Sequence, residues 1–373
     1  MVFFIISLTL AIASIIENRL LFNALFISIA TYFSFNFCYG YDWMNYMEVY
    51  NNSLSDGYQP FFFTEPGLFW IMKFFSWLGF SFLQFLTVSF IFIYSSIYYF
   101  CNSLKSPTFA FFAIFSFFSI YILSEWFRQC LAICIVMIGL VFEKRGKGKA
   151  FPFLCILASF FHLFAIMLLP YHIITRKTGE NTSRFIVVAT VVATVIIYSI
   201  YYPTTLSFLP FIGEKITQYG TILVDKQMGI FEFIMSSKII FVYALMFFTL
   251  FILKRKYADL SLSLCAIYML FISRFSSVLI RVGFYFVPFL VINMDGFISG
   301  KGRGMRIQLT KIICIFLISL ISTSYLFNPV FNEGASYNLN IFSTKGDIDF
   351  VIGKKCSIIN KYYEVHTFNL QCR

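Results

Sequence analysis

Apolar stretches of 15 to 24 residues recur along this chain, separated by short polar segments. A helix rising about 1.5 Å per residue needs about 20 apolar residues to cross a hydrocarbon core of about 30 Å. On that basis spanning helices are predicted at roughly 2–16, 20–38, 82–101, 107–123, 126–142, 184–202, 230–253, 259–277, 281–298 and 307–327. Two segments fit poorly as full spans. Residues 67–80 carry Lys73 and Gly and Trp interruptions, which suits a re-entrant or interfacial helix. Residues 150–175 are too long for one span and too short for two, with Pro152 and Pro170 near the ends and His162 in the middle. A bent pair of short helices with His162 at the apex fits them. The expected architecture is therefore an all-α, polytopic integral membrane protein of about ten full transmembrane helices plus two short re-entrant or bent segments. Residues 1–327 form the membrane domain, with outer loops 39–66 and 203–229, and residues 328–373 form an outer tail.

Composition agrees. Hydrophobic residues make up 60% and charged residues only 12%, with mean hydropathy +0.82, against about 25% charged in a soluble chain. The formal charge of +11 would suit a nucleic-acid binder, but its distribution does not. Fifteen of the 28 Lys and Arg are Arg19 and members of five short linkers around Lys105, 144–149, 176–184, 254–256 and 301–306. Short basic linkers between apolar runs mark the cytoplasmic side. With the N-terminus outside, ten crossings and two irregular segments that return to their own side, all five linkers fall inside. Treating 150–175 as a single span would put 254–256 and 301–306 outside.

The first apolar run lacks a basic leader, and Glu17-Asn18-Arg19 follows it where small residues would mark a cleavage site, so it reads as a span and not a cleaved signal. Nine cysteines show no metal spacing. Cys130 and Cys134 suit small buried hydrophobes, and Cys356 and Cys372 could pair if the tail lies outside. There is no glycine-rich phosphate loop, no HExxH and no paired-cysteine zinc pattern. No metal and no cofactor is expected.

Ionisable groups are expensive within hydrocarbon and usually mark function. Under this topology Asp42, Glu65, Arg128, His162, Arg274 and Arg281 all map to the outer ends of helices, from at least five separate stretches. That convergence predicts an outward-facing polar cavity. Arg128 suits an anion clamp, because guanidinium presents a rigid fork to phosphate oxygens; a snorkelling arginine, or one paired with Glu125 at i−3, is the plainer alternative. Arg274 and Arg281 flank a predicted outer turn, where each could equally be an interface anchor, and Tyr285 lies at i+4 from Arg281. His162 is either a core histidine satisfied by one hydrogen bond or a proton acceptor. Helical spacing puts Asp42, Asn45 and Tyr46 on one face; aromatic and carboxylate faces hold sugars, though Tyr and Trp also form ordinary interface belts. Glu65 precedes Pro66-Gly67, where a favourable dipole contact is the default.

In order, the chain carries YDWMNYMEVY, EPGL, FRQCLA, FHLFAIMLLP and RVGFYF. This succession resembles the EpsG-like branch of the O-antigen polymerase (Wzy) proteins over roughly residues 40 to 290. One departure is Phe164, where the family often has a small or hydroxyl residue two places after the histidine. The resemblance implies a GT-C-like membrane glycosyltransferase, metal-independent, in the bacterial inner membrane with its active site facing the periplasm. Its implied substrate is an undecaprenyl-diphosphate-linked oligosaccharide, and its implied partners are the lipid bilayer and a chain-length regulator protein, with no nucleic acid. Arg128, His162 and Arg281 match the family's motif positions as catalytic residues. Asp42, Tyr46, Glu65, Arg274 and Tyr285 are the expected substrate-binding residues. A flippase for the same lipid-linked sugar and an O-antigen ligase are the alternatives. A flippase should carry polar groups through the whole bilayer depth, often in repeated halves, whereas here they gather at one side.

Overall fold

A computed structural model of the chain describes all residues except 1, 59, 61–64, 120, 176–181, 203–237, 255–259, 300–304, 363–371 and 373. The predicted outer loop 203–229 and much of three basic linkers lie outside the described residues. Helices dominate what is described. The chain divides into two compact units, residues 1–163 with 322–373 and residues 164–321.

The first unit contains α1 (Val2–Ile16), α2 (Arg19–Phe35), α3 (Trp43–Asn52), α4 (Pro66–Trp77), α5 (Phe82–Asn102), α6 (Pro107–Phe118), α7 (Phe127–Lys144) and α8 (Ala150–Ser159). Local chemistry sets their starts. The Asn18 side chain accepts the N–H groups of Leu20 at 2.8 Å and Leu21 at 3.2 Å. Ser81 and Gln84 exchange bonds of 3.3 and 2.8 Å as a capping box. Pro66 and Pro107 occupy the first helical position, where a missing N–H costs nothing.

All twelve residues of α6 are buried, as expected for a helix that is apolar on every face and lies at the centre of its unit. Phe111 packs at 4.5 Å on Phe26, and Phe22 stacks on Tyr98 at 5.7 Å. Hydroxyls within these helices are satisfied locally: Thr87, Ser89 and Ser96 each donate to the carbonyl four residues back. Ser7 and Ser116 meet across α1 and α6 at 2.8 Å.

The second unit contains a 3₁₀ turn (Leu163–Met167, which begins on the last residue of the first unit), α9 (Leu168–Thr175), α10 (Thr182–Tyr201), α11 (Ile239–Lys254), α12 (Ser261–Ser273), α13 (Ser277–Phe284), α14 (Val287–Ile298) and α15 (Met305–Ser322, whose last residue belongs to the first unit). On α10, Val187, Val188, Val191, Val192 and Val195 leave an exposed apolar stripe at helical spacing, and Ile5, Leu8, Ile12 and Ile16 do the same on α1. Faces of that kind suit lipid and not water.

Among the described residues, three segments have both the length and the apolar character to cross a membrane: Phe82–Asn102, Thr182–Ser199 and Leu279–Ile298. α7 has eighteen residues, with Arg128, Glu143 and Lys144 confined to its ends. Several other predicted spans are shorter helices of 10 to 17 residues. The predicted span 107–123 stops as helix at Phe118, and residues beyond it fold into turns. The chain is thus a helical membrane protein. The two irregular segments are short: α4 has twelve residues, about 18 Å of helix, with Trp70, Phe74 and Trp77 exposed on one side and Leu68 and Met72 buried on the other. The 150–175 segment breaks between α8 and the 3₁₀ turn, at residues 160–162.

The tail packs on the first unit. It contributes α16 (Pro329–Gly334), α17 (Lys345–Tyr362) and a two-residue strand, β2 (Leu339–Asn340), antiparallel to β1 (Asn36–Phe37) with Asn36 opposite Asn340. Thr344 and Asp347 cap α17 reciprocally. Cys356 is disulfide-bonded to Cys372; the other seven cysteines, Cys130 and Cys134 among them, are buried thiols.

Candidate active site

Glu65 organises the site in the first unit. Pro66 fixes the start of α4 and leaves Glu65 just outside it, at φ −125° and ψ 68°, with no side-chain cap bond. The side chain does not serve the helix dipole. One carboxylate oxygen, Oε2, is ion-paired with Arg128 Nη1, and the other, Oε1, accepts the Leu163 N–H at 3.0 Å. Exposure of the two side chains is 1% for Glu65 and 13% for Arg128, so the pair is almost fully desolvated and its two members are strongly interdependent.

Gly67 explains how α4 comes this close. Its N–H donates to the Phe160 carbonyl at 2.9 Å, and a Cβ there would stand 3.0 Å from that same oxygen and 3.2 Å from the Phe161 ring. The EPGL and FFHL motifs are therefore in direct backbone contact. His162 is buried at 3% exposure, with its N–H on the Ala158 carbonyl at 3.0 Å, in the turn whose next residue Glu65 holds.

Tyr46 closes the cluster from α3. Its hydroxyl accepts Arg128 Nε at 3.3 Å, and its ring packs on Phe127 at 6.0 Å. Two edges of the Arg128 guanidinium are thereby engaged at once, Nη1 by carboxylate and Nε by phenol. Asp42 stands one turn before Tyr46 at the start of α3, partly exposed, with its carbonyl accepting the Tyr46 N–H at 3.2 Å. Asp42, Tyr46, Glu65, Arg128 and His162 all lie in the first unit, with Tyr46 and Glu65 on Arg128 and Glu65 on the residue after His162.

The i−3 partner expected as the plainer reading for Arg128 is not its partner. Glu125 lies in a turn and not on α7, so helical spacing does not apply. Its Oε2 accepts the Tyr41 N–H at 2.6 Å instead. Burial and the nearby Asp42 raise the Glu125 carboxyl above the usual range. Its role at the 39–42 loop is invisible in sequence, because it depends on a loop-to-loop contact.

Arg274, Arg281 and Tyr285 belong to the second unit. Arg274 caps the end of α12 at 5% exposure, and its Nη2 donates to the Tyr243 hydroxyl at 3.0 Å. The guanidinium carbon lies 5.1 Å from the Tyr243 ring centre and 5.5 Å from that of Phe284. Its Nε has no hydrogen-bond partner among the described residues, which leaves a buried donor suited to an anionic ligand. Tyr243 was not anticipated from sequence, where it reads as one more aromatic in an apolar run. Arg281 is partly exposed on α13, and Tyr285 is fully buried between α13 and α14.

The chain matches the EpsG family over residues 19–339. It belongs to that family. Members are Wzy-like, polysaccharide polymerase-related proteins, and the match takes in every candidate residue from Asp42 to Tyr285. No curated protein and no solved structure matches this EpsG-family chain. The match leaves α17 outside it.

Proposed function

We propose that this EpsG-family protein is a polymerase that joins polyprenyl-diphosphate-linked oligosaccharide repeat units on the outer, periplasmic face of the membrane. The observation that carries this reading is the Glu65 bridge, which ties three dispersed family motifs into one desolvated site around a cation and a histidine. The Cys356–Cys372 disulfide supports the outer placement, since such bonds persist in oxidising compartments.

In the proposed reaction the bond from the donor's anomeric carbon to its diphosphate oxygen breaks. An acceptor-sugar hydroxyl oxygen bonds to that carbon, its proton passes to His162, and the polyprenyl diphosphate departs with the electron pair. Negative charge grows on the diphosphate, and arginines held in fixed orientation stabilise it without having to reorganise. Arg128, fixed by Glu65 and Tyr46, is the first candidate, and Arg281 and Arg274 are the others. Both Glu65 carboxylate oxygens are engaged by protein groups, which favours His162 over Glu65 as proton acceptor. Asp42 and Tyr46 would hold sugar hydroxyls.

The test in cells separates this reading from a flippase. A strain lacking the protein should display surface glycan of a single repeat unit, and plasmid-borne wild type should restore long chains. Complete loss of outward-facing repeat units, with lipid-linked repeat retained on the inner face, would assign the chain to translocation instead.

A further inference from the structure

Lys355 is a buried cation whose ammonium is ion-paired with no carboxylate among the described residues. It lies on α17 at 0% exposure, and its Nζ donates to three carbonyls: Tyr39 at 2.9 Å, Gly40 at 2.6 Å and Gly334 at 3.2 Å. The same Nζ sits 4.8 Å from the centre of the Tyr41 ring. Across the loop, Glu125 takes the Tyr41 N–H at 2.6 Å. The peptides of residues 39–42 therefore have a cation at their carbonyls and a carboxylate at their amides, and each charge is offset through the backbone it grips. Burial lowers the Lys355 ammonium and raises the Glu125 carboxyl, while each one's charge opposes the other's shift.

The local sequence is shaped to this grip. A Cβ on Gly40 would fall 1.8 Å from Glu125 Oε2 and 2.4 Å from the Ser124 carbonyl. On Gly334 it would fall 2.2 Å from the Tyr41 hydroxyl, which itself donates to the Val330 carbonyl at 2.7 Å. Both glycines are needed for close approach. The β1–β2 pairing and the bond from the Ile341 N–H to the Phe35 carbonyl, 3.2 Å, tie the tail to the stretch just before the loop. Asp42 closes the loop, Tyr46 follows one turn later, and Tyr46 holds Arg128.

We propose that Lys355 and Glu125 are positioning residues, a two-sided clamp by which the C-terminal tail fixes the 39–42 loop and so presents Asp42 and Tyr46 to Arg128. The kinetic part of this inference rests on the active-site reading above. Lys355 lies beyond the residues that match the family.

Hydrogen exchange and kinetics on the purified full chain in lipid nanodiscs test it. Lys355→Met should speed exchange of the 39–46 amides by at least tenfold and leave the α7 amides unchanged. It should lower kcat at least tenfold with KM for the lipid-linked donor within twofold, and Lys355→Arg should recover part of both losses. Removing the cation strands a desolvated carboxylate, so Lys355→Met with Glu125→Gln should accumulate better than Lys355→Met alone. That double variant serves for exchange should the single one fail to fold. Unchanged exchange at 39–46 in either variant overturns the clamp, as does faster exchange with unchanged kcat. If wild type itself joins no repeat units, the polymerase reading falls, and the exchange result still decides whether the clamp exists.

Discussion

Arg128→Lys should abolish polymerisation almost as completely as Arg128→Ala. The guanidinium reaches Glu65 through Nη1 and Tyr46 through Nε at the same time, a fork that the single ammonium of lysine cannot reproduce. Losing a preorganised charge-stabilising donor costs about 2.7–4 kcal/mol, or about 10²–10³-fold in turnover. Stability must be separated from chemistry, because breaking a buried ion pair by removing one partner costs about 3–5 kcal/mol of folding energy. Pairing Arg128→Met with Glu65→Gln removes the stranded charge while leaving an acceptor for the Leu163 N–H. Membrane-extracted protein should therefore recover in the double variant while activity stays lost. Near-normal chain length with Arg128→Lys at normal protein levels would sink the role given to the fork.

His162→Ala should keep protein level and lipid-substrate binding near wild type while lowering turnover by about 10²–10⁴-fold, the usual contribution of a positioned proton acceptor. His162→Gln retains a hydrogen-bonding side chain but no base near neutral pH, so it should be almost equally inactive. A packing histidine behaves differently: Ala would leave a hole and reduce the folded protein, and Gln could rescue it by restoring a hydrogen bond. Long chains in the Gln variant would move the base to Asp42, since Glu65 is committed to Arg128 and to the Leu163 N–H.

The membrane class and the grouping of the motifs in the first unit were legible because both follow from local rules. Apolar run length marks helices, and desolvation cost marks Glu65, Arg128 and His162 as residues that need partners. Which partner each takes was not legible. Glu65 lies 63 residues from Arg128 and 98 from Leu163, and only the close approach permitted by Gly67 brings them together. The alternative pairing of Glu125 with Arg128 fails for the converse reason: the two are near in sequence, but the turn through Trp126 (φ −96°, ψ 64°) breaks the helical spacing that would pair them. Lys355 was unreadable, since in a tail with several exposed lysines nothing local distinguishes the one that is buried. The helix expected over 107–123 was overestimated, because it gives way to a turn at Ser119 after α6.

Sugar transfer between lipid carriers at this site can be followed by reconstitution with two distinguishable substrates. Purified wild type in nanodiscs, with EDTA present, would receive a polyprenyl-diphosphate-linked repeat unit labelled in its sugar and a second carrying a mass tag on its lipid. Wild type should give a ladder of products that carry both labels, with one polyprenyl diphosphate released per bond formed, and Arg128→Lys and His162→Gln should give none. Doubly labelled products absent from the wild type, with the labelled repeat unit only moved across the bilayer or handed to a different acceptor, would contradict it.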